Sequence, residues 1–377
     1  MVFCLLLLVG CGTSQAGFSP QFTPDIDPAG PRTRLFVIDS RAILNGSNET
    51  QLPGQHARFF RFDLSAASYS GPQDTETIQE GSGVPVMLTF DTLTDTGYLT
   101  EDAPGAAGRV VALHDISARS GIHGASFDAV ITGFRDPRGI AFSSADDGTL
   151  YVSEAGEPFG IWVLRSLRKF TPDSTRLASF YPLSDLGLPS QACPTQLAYS
   201  GRHQLLFLGL TDGFRGVGLI PLTPLGQRAV AVPLSSAAEV TGVAYDEDHD
   251  RLFVAQRSST VPRALTPGKI AVFNQASQLS PESRPAYFID GLNAPGYLSF
   301  DLGSGRLAVG TDHIDSLQPA TILEHGAIEI FNPGSEGAGP PEVMNLESIA
   351  NPTDSPNNFY GPYFDDSIRN LFNTGEN

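Results

Sequence analysis

The stretch DPRGIAFS, residues 136–143, is followed by TLYVSEAG at 149–156, GIWVLR at 160–165 and RLASFYP at 176–182. All four segments are short and apolar, and polar turns with Gly, Asp or Ser separate them, which predicts a four-stranded antiparallel unit. One such unit cannot bury its own apolar faces. We therefore expect it to pack against similar units elsewhere in the chain.

The unit recurs along the chain at intervals of roughly 45 to 65 residues. In each copy the first strand ends in an aromatic residue that is followed by Asp or Ser, and these aromatic residues are Phe90, Phe142, Tyr199, Tyr245, Phe300 and Phe364. A second strand follows after a polar turn, and a third strand usually begins with Gly. Four antiparallel strands in each repeated unit predict an all-β fold built from propeller blades.

The last unit stops after its second strand, and the front of the chain contains two further strands. TRLFVID at 33–39 aligns with GKIAVFN at 268–274, and ARFFRFD at 57–63 supplies another strand. Residues 33–377 are thus predicted to form a six-bladed β-propeller of four-stranded antiparallel blades, closed by N- and C-terminal strands in one blade. Such closure removes the open edges of a linear stack.

These units resemble the blades of NHL-repeat and SMP-30-like six-bladed propellers, and LFVAQRSS at 252–259 with the strand that follows it resembles the YVTN type. The matched positions are those that build a blade, so the resemblance implies the fold and leaves the function open. SMP-30-like lactonases hold a metal with a Glu from the first inner strand. Here that strand begins Gly83-Val84-Pro85-Val86, and the lactonase ligand set does not carry over.

Residues 1–11 resemble a bacterial lipoprotein signal peptide. Their apolar run, Val2 to Val9, is too short to span a bilayer, and it ends in Leu8-Val9-Gly10-Cys11, which resembles a lipobox. The resemblance implies a lipid on Cys11 that anchors the protein in the cell envelope, at the outer membrane facing the periplasm or the cell surface. An ordinary secretory signal is the alternative. Residues 12–32, poor in apolar side chains, are predicted to be a flexible tether.

The formal net charge of −18, from 41 acidic and 23 basic residues, disfavours anionic partners. A phosphate backbone would be repelled over most of the surface, so we expect no nucleic-acid partner. We expect a monomer that contacts the membrane through the lipid on Cys11 and binds an unidentified protein or small molecule.

Acidic side chains recur where second strands end. If rotation relates the blades, these side chains converge on one mouth of the channel, where oxygen ligands could hold Ca²⁺ or another divalent cation. The candidate metal ligands are Glu154, Asp212 and Asp312. Solvated strand ends of an acidic protein are the alternative interpretation.

Two long loops are predicted at the same mouth, after the second strands of the fourth and fifth blades. Long loops on a rigid scaffold are often functional, although a charge-paired lid is the simpler account. The candidate ligand contacts are Arg257, Asp312, His313, Glu324 and His325. The sequence favours a binding or scaffold propeller for a protein or small ligand, with no assigned catalytic residue. The alternative is a metal-dependent hydrolase or lyase acting at the channel mouth.

Overall fold

The computed structural model describes residues 34–39, 42–45, 48–51, 58–63, 74–77, 84–102, 107–114, 129–169, 178–223, 228–234, 238–258, 267–314, 324–334, 337–345 and 359–365. The signal segment and Cys11 lie outside these residues. No helix in the described ranges is long and apolar enough to cross a membrane.

The strands before the first blade are β1 (Arg34–Asp39), β2 (Ala42–Asn45), β3 (Asn48–Gln51), β4 (Arg58–Asp63) and β5 (Asp74–Thr77). Blade one contains β6 (Val84–Asp91), β7 (Thr96–Asp102), β8 (Gly108–Leu113) and β9 (Ala129–Phe134). Blade two contains β10 (Pro137–Ser143), β11 (Thr149–Glu154), β12 (Gly160–Leu164) and β13 (Ala178–Pro182).

Blade three contains β14 (Cys193–Ser200), β15 (Leu205–Thr211), β16 (Gly216–Pro221) and β17 (Val230–Pro233). Blade four contains β18 (Ala238–Asp246), β19 (Arg251–Ser258), β20 (Pro267–Asn274) and β21 (Tyr287–Asn293). Blade five contains β22 (Leu298–Asp301), β23 (Arg306–Ile314), β24 (Glu324–Phe331) and β25 (Glu342–Asn345), and the last strand of the chain is β26 (Phe359–Asp365).

The architecture is an all-β propeller of four-stranded antiparallel blades, as the sequence predicts. Five blades are each built from four consecutive strands, one fewer than the predicted six. The remaining four-stranded sheet has the order β26-β1-β4-β5 and pairs Arg34 with Asp365. The side chains of this sheet lie outside the described residues. Packing of side chains between neighbouring blades is therefore described for the other five sheets.

The first strand of each blade faces the central channel. Along the chain these inner strands, β6, β10, β14, β18 and β22, each pack against the next. They are edge strands of their sheets, so every second residue directs its backbone N–H and C=O away from the sheet. The wall of the channel therefore includes backbone groups that no neighbouring strand pairs.

Aromatic pairs join successive blades. In each pair the second strand of one blade supplies one ring and the first strand of the next blade supplies the other. The pairs, with their centroid separations, are Tyr98 and Phe142 at 5.8 Å, Tyr151 and Tyr199 at 6.1 Å, Phe207 and Tyr245 at 4.7 Å, and Phe253 and Phe300 at 5.3 Å. The recurring aromatic residue of the sequence is thus the contact that holds neighbouring blades together.

The Gly that opens a third strand allows the next blade to approach. A Cβ at Gly108 would lie 2.2 Å from Pro137 Cδ, and a Cβ at Gly268 would lie 2.0 Å from Pro295 Cδ. These distances are far below van der Waals contact. A Pro at the entry to the next blade therefore packs directly against the third strand, and only Gly leaves room for it.

Replacing an inter-blade ring should destabilise the protein far more than replacing an exposed one. Phe253 is fully buried, so we expect Phe253→Ala to lower the free energy of unfolding by about 3 to 5 kcal/mol. The matched control is Phe288→Ala, because that ring is 41% exposed. Urea unfolding followed by fluorescence measures both. Similar losses in the two variants would contradict the role given to the ring pairs.

Candidate functional site

A cavity of about 510 Å³ lies in the channel at the end where the first strands finish. Five of the recurring aromatic residues line it: Phe90, Phe142, Tyr199, Tyr245 and Phe300. Residues of the turns between first and second strands form its rim, among them Leu93, Ser144, Gly201, Glu247 and Leu302. The cavity thus opens on the face that carries the turns between first and second strands. The sequence predicts the ligand mouth on the opposite face, where second strands end.

Gln196 forms part of the cavity floor. Its Nε2 donates to the carbonyl of Leu298 at 2.6 Å, and its Oε1 accepts from Leu298 N at 3.0 Å and from Val243 N at 3.1 Å. Gln196 belongs to blade three, Val243 to blade four and Leu298 to blade five. The side chain therefore passes the inner edge of one blade and reaches the next, satisfying backbone groups that no strand pairs.

The blades on either side of Gln196 carry Gly at the equivalent position. A Cβ at Gly242 would lie 2.7 Å from Gln196 Oε1, and a Cβ at Gly139 would lie 2.3 Å from the carbonyl of Thr195. In blade one the same position is Met87, whose sulfur accepts from Ile140 N at 3.3 Å. The Gln196 side chain therefore occupies the space beside Gly242, whereas the backbone of blade three fills the space beside Gly139.

Arg168 is the one Arg among the described residues that line the cavity, and it is paired. Arg168 donates from Nε and Nη2 to the two oxygens of Asp91, both at 2.7 Å, and so joins blade two to blade one. Asp91 is fully buried, and this hydrogen bonding raises the pKa of the Arg168 guanidinium. Arg168 Cζ also lies 5.8 Å from the centroid of Phe142. The pair adds no net charge to the cavity.

Glu247 brings an acidic group to the rim. Its Oε1 accepts from Ser200 Oγ at 2.9 Å and from Arg202 N at 2.6 Å. The Arg202 guanidinium binds elsewhere, to the Glu247 carbonyl at 3.0 Å and to Asp248 Oδ1 at 3.3 Å. Among the residues that the structure describes, no basic side chain forms an ion pair with the Glu247 carboxylate.

The candidate metal ligand Glu154 is buried and already saturated. Its oxygens accept from the backbone N–H groups of Arg135, Asp136 and Gly156 and from Trp162 Nε1, at 2.6 to 3.1 Å. Four N–H donors leave little capacity for a cation, so the geometry of Glu154 fits a support for the loop before blade two.

The other two candidate metal ligands do not complete a site with Glu154. Asp212 is exposed in a turn with φ 54°, and the side chain of Asp312 lies outside the described residues. Within the described ranges no three His, Cys, Asp or Glu side chains are grouped to hold a metal. The divalent-cation site stays a prediction.

The predicted ligand contacts at the opposite mouth are described only in part. Arg257 forms an ion pair with Glu239, Nε to Oε2 at 3.1 Å, and both side chains are partly exposed. In the β23–β24 pairing His313 is opposite His325 and Ile314 is opposite Glu324. The side chains of His313, Glu324 and His325, and both long loops, lie outside the described residues, so this recognition surface also stays a prediction.

No protein-family model and no curated protein matches the chain. In structure it is similar to a Bacteroides uniformis protein assigned as a 6-phosphogluconolactonase, with TM-score 0.52, 11% identity and coverage of 89% of this chain and 99% of that one. It is also similar to the periplasmic gluconolactonase PpgL of Pseudomonas aeruginosa, with TM-score 0.46, 15% identity and coverage of 87% and 99%.

The WD40 domain of Toxoplasma gondii coronin gives TM-score 0.46 at 11% identity, with coverage of 79% of this chain and 67% of that one. At such identities structural similarity indicates the propeller fold alone, because unrelated functions share this fold.

Removing the Gln196 amide should loosen three blades at once. Its hydrogen bonds to two backbones are lost in Gln196→Ala, and we expect a decrease of about 1 to 3 kcal/mol in the free energy of unfolding. Gln278→Ala is the control, because Gln278 is exposed, and it should change stability by less than about 0.5 kcal/mol. Urea unfolding measures both values, and equal midpoints would refute the bridging role.

Proposed function

We propose that this protein is a binding propeller of the cell envelope and that a small ligand occupies the channel cavity at the first-to-second-strand turns. The observation that carries the proposal is the cavity itself, about 510 Å³ in volume, walled by rings from five blades and floored in part by Gln196. Ligand sites are typically concave spaces of about 300 to 1,000 Å³ with a mainly apolar wall and a few polar groups.

The polar groups of the cavity favour binding over hydrolysis or lyase chemistry. Arg168 is held by Asp91, the Tyr199 hydroxyl accepts from Ser143 Oγ at 2.9 Å, and the Tyr245 hydroxyl donates to Asp250 at 2.9 Å. Burial, followed by the hydrogen bond to Asp250, raises the pKa of Tyr245 and keeps it protonated. General acid and base catalysis usually needs a pair of groups that exchange protons near neutral pH. Among the described lining residues there is no His and no carboxylate other than Glu247, so this pair is incomplete.

We also propose that the sheet β26-β1-β4-β5 serves as a sixth blade. In support, β26 contacts β22 of blade five and β6 of blade one, which are the inner strands on either side of the gap between these blades. The ring of inner strands is then closed, with β26 between β22 and β6.

The proposed location rests on the lipobox resemblance at Leu8-Val9-Gly10-Cys11. In the full chain expressed in a bacterium, Cys11→Ala should move the protein from the membrane fraction to the soluble envelope fraction, because the acylated thiol is lost. The control Cys4→Ala should stay in the membrane fraction. Membrane retention of Cys11→Ala would contradict lipid anchoring.

Blocking the cavity mouth should abolish ligand binding without unfolding the blades. A Cβ at Gly201 meets its nearest neighbour at 3.5 Å, so Gly201→Trp introduces bulk at the rim without backbone strain. The control is Gly339→Trp, at a site with no atom within 4 Å of an added Cβ. Ligand-detected NMR with a panel of small organic compounds should identify binders that lose affinity only in Gly201→Trp. Binders that are unaffected by this change, or a panel with no binder, would contradict the proposal.

A further inference from the structure

Gly201 leaves a gap between an aromatic ring and a carboxylate at the cavity rim. A Cβ at this position would lie 3.5 Å from Tyr199 Cε1, 3.6 Å from the Tyr199 hydroxyl oxygen and 3.9 Å from Glu247 Oε1. These separations correspond to ordinary van der Waals contact. All three residues line the cavity, so a ligand group in the cavity space in front of Gly201 would have the Tyr199 ring and the Glu247 carboxylate as neighbours.

The carboxylate beside this gap retains acceptor capacity. Glu247 Oε1 accepts two hydrogen bonds, whereas Oε2 accepts none from the residues that the structure describes. An ionised carboxylate offers about four acceptor positions. Glu247, Asp248 and Arg202 together carry one net negative charge. The Arg202 guanidinium donates to Asp248 and to the backbone carbonyl of Glu247, not to the Glu247 carboxylate.

The cavity wall also suits a positive charge. Arg168 Cζ already stands 5.8 Å from the Phe142 centroid, within the range of about 6 Å at which an aromatic face attracts a cation. Because Asp91 neutralises Arg168, that residue does not repel a second cation at full strength. The net charge of −18 further attracts cations towards the protein.

We infer that the cavity binds an organic cation, with its ammonium or methylated ammonium group in the gap between the Tyr199 ring and the Glu247 carboxylate. This inference rests on the proposed function, since it takes the cavity as the ligand site. An organic cation fits better than a metal ion here. Ca²⁺ requires about six to eight oxygen ligands, whereas the described residues around the gap present one carboxylate beside an aromatic ring.

The test compares two probes of nearly equal shape. Choline carries a quaternary ammonium, and 3,3-dimethyl-1-butanol replaces that nitrogen with carbon. Isothermal titration of the full-length protein in detergent should give about tenfold tighter binding for choline, since only choline gains from the ring and the carboxylate. The choline affinity should decrease as NaCl is raised from low to physiological concentration.

Two substitutions that each remove one negative charge test whether Glu247 causes the preference for choline. Glu247→Gln keeps the shape of the side chain and should reduce the preference for choline to about threefold or less. Glu282→Gln removes the same charge from an exposed residue outside the cavity lining, and it should retain the preference. Gly201→Ala places a methyl group in the gap and should weaken both probes.

The outcomes separate this inference from the proposed function. Equal affinities for the two probes, both lost in Gly201→Trp, would overturn cation selectivity and leave the cavity as the ligand site. Absence of choline binding, or displacement of choline by millimolar Ca²⁺, would also overturn the inference. An unchanged choline preference in Glu247→Gln would place the cation elsewhere. Choline binding that persists in Gly201→Trp would contradict both proposals.

Discussion

Stacking between the second strand of one blade and the first strand of the next controls both the assembly of this propeller and the shape of its cavity. In the pair Phe253 and Phe300, one ring is fully buried and the other also lines the cavity. In the pair Tyr151 and Tyr199, the first ring is buried and the second lines the cavity. One set of aromatic residues therefore sets the spacing of the blades and forms the wall against which a ligand would rest, so the cavity cannot change shape without disturbing the blade contacts.

The residue after each first-strand aromatic adds a polar connection at the same level. Asp91 accepts from Leu93 N in its own turn and from Arg168 of the next blade. Asp246 likewise binds Arg251, which continues to the carbonyl of Pro333 in the region of blade five. Because these carboxylates are buried, their partners are required. In blades two and three the residue after the aromatic is Ser, and it donates to the next blade, Ser143 to Tyr199 and Ser200 to Glu247. The aromatic residue and the polar residue that follows it thus give apolar and polar contacts between blades one to five, which explains why both recur in the sequence.

The repeat could be predicted from the sequence because each strand shows its own apolar pattern. The face on which the cavity opens could not be predicted in this way. That face depends on Gln196 reaching Leu298, a contact between residues 102 positions apart. Glu154 shows a second limit. Its place at the end of a strand predicts a metal ligand, whereas its hydrogen bonds to backbone N–H groups of the loop before the blade could not be predicted. Backbone donors occur at nearly every residue, so no sequence pattern indicates which acid they will bind.

The glycines around the channel differ in what the fold demands of them. Gly139 and Gly242 are required, because an added Cβ would collide with backbone or side-chain atoms at 2.3 and 2.6 Å. Gly201 is different, since an added Cβ would meet nothing closer than 3.5 Å. The blades can therefore assemble with a side chain at position 201, and the space beside Tyr199 and Glu247 is not needed for packing. Packing does not require Gly at position 201, and the missing side chain leaves the cavity open beside the Tyr199 ring and the Glu247 carboxylate.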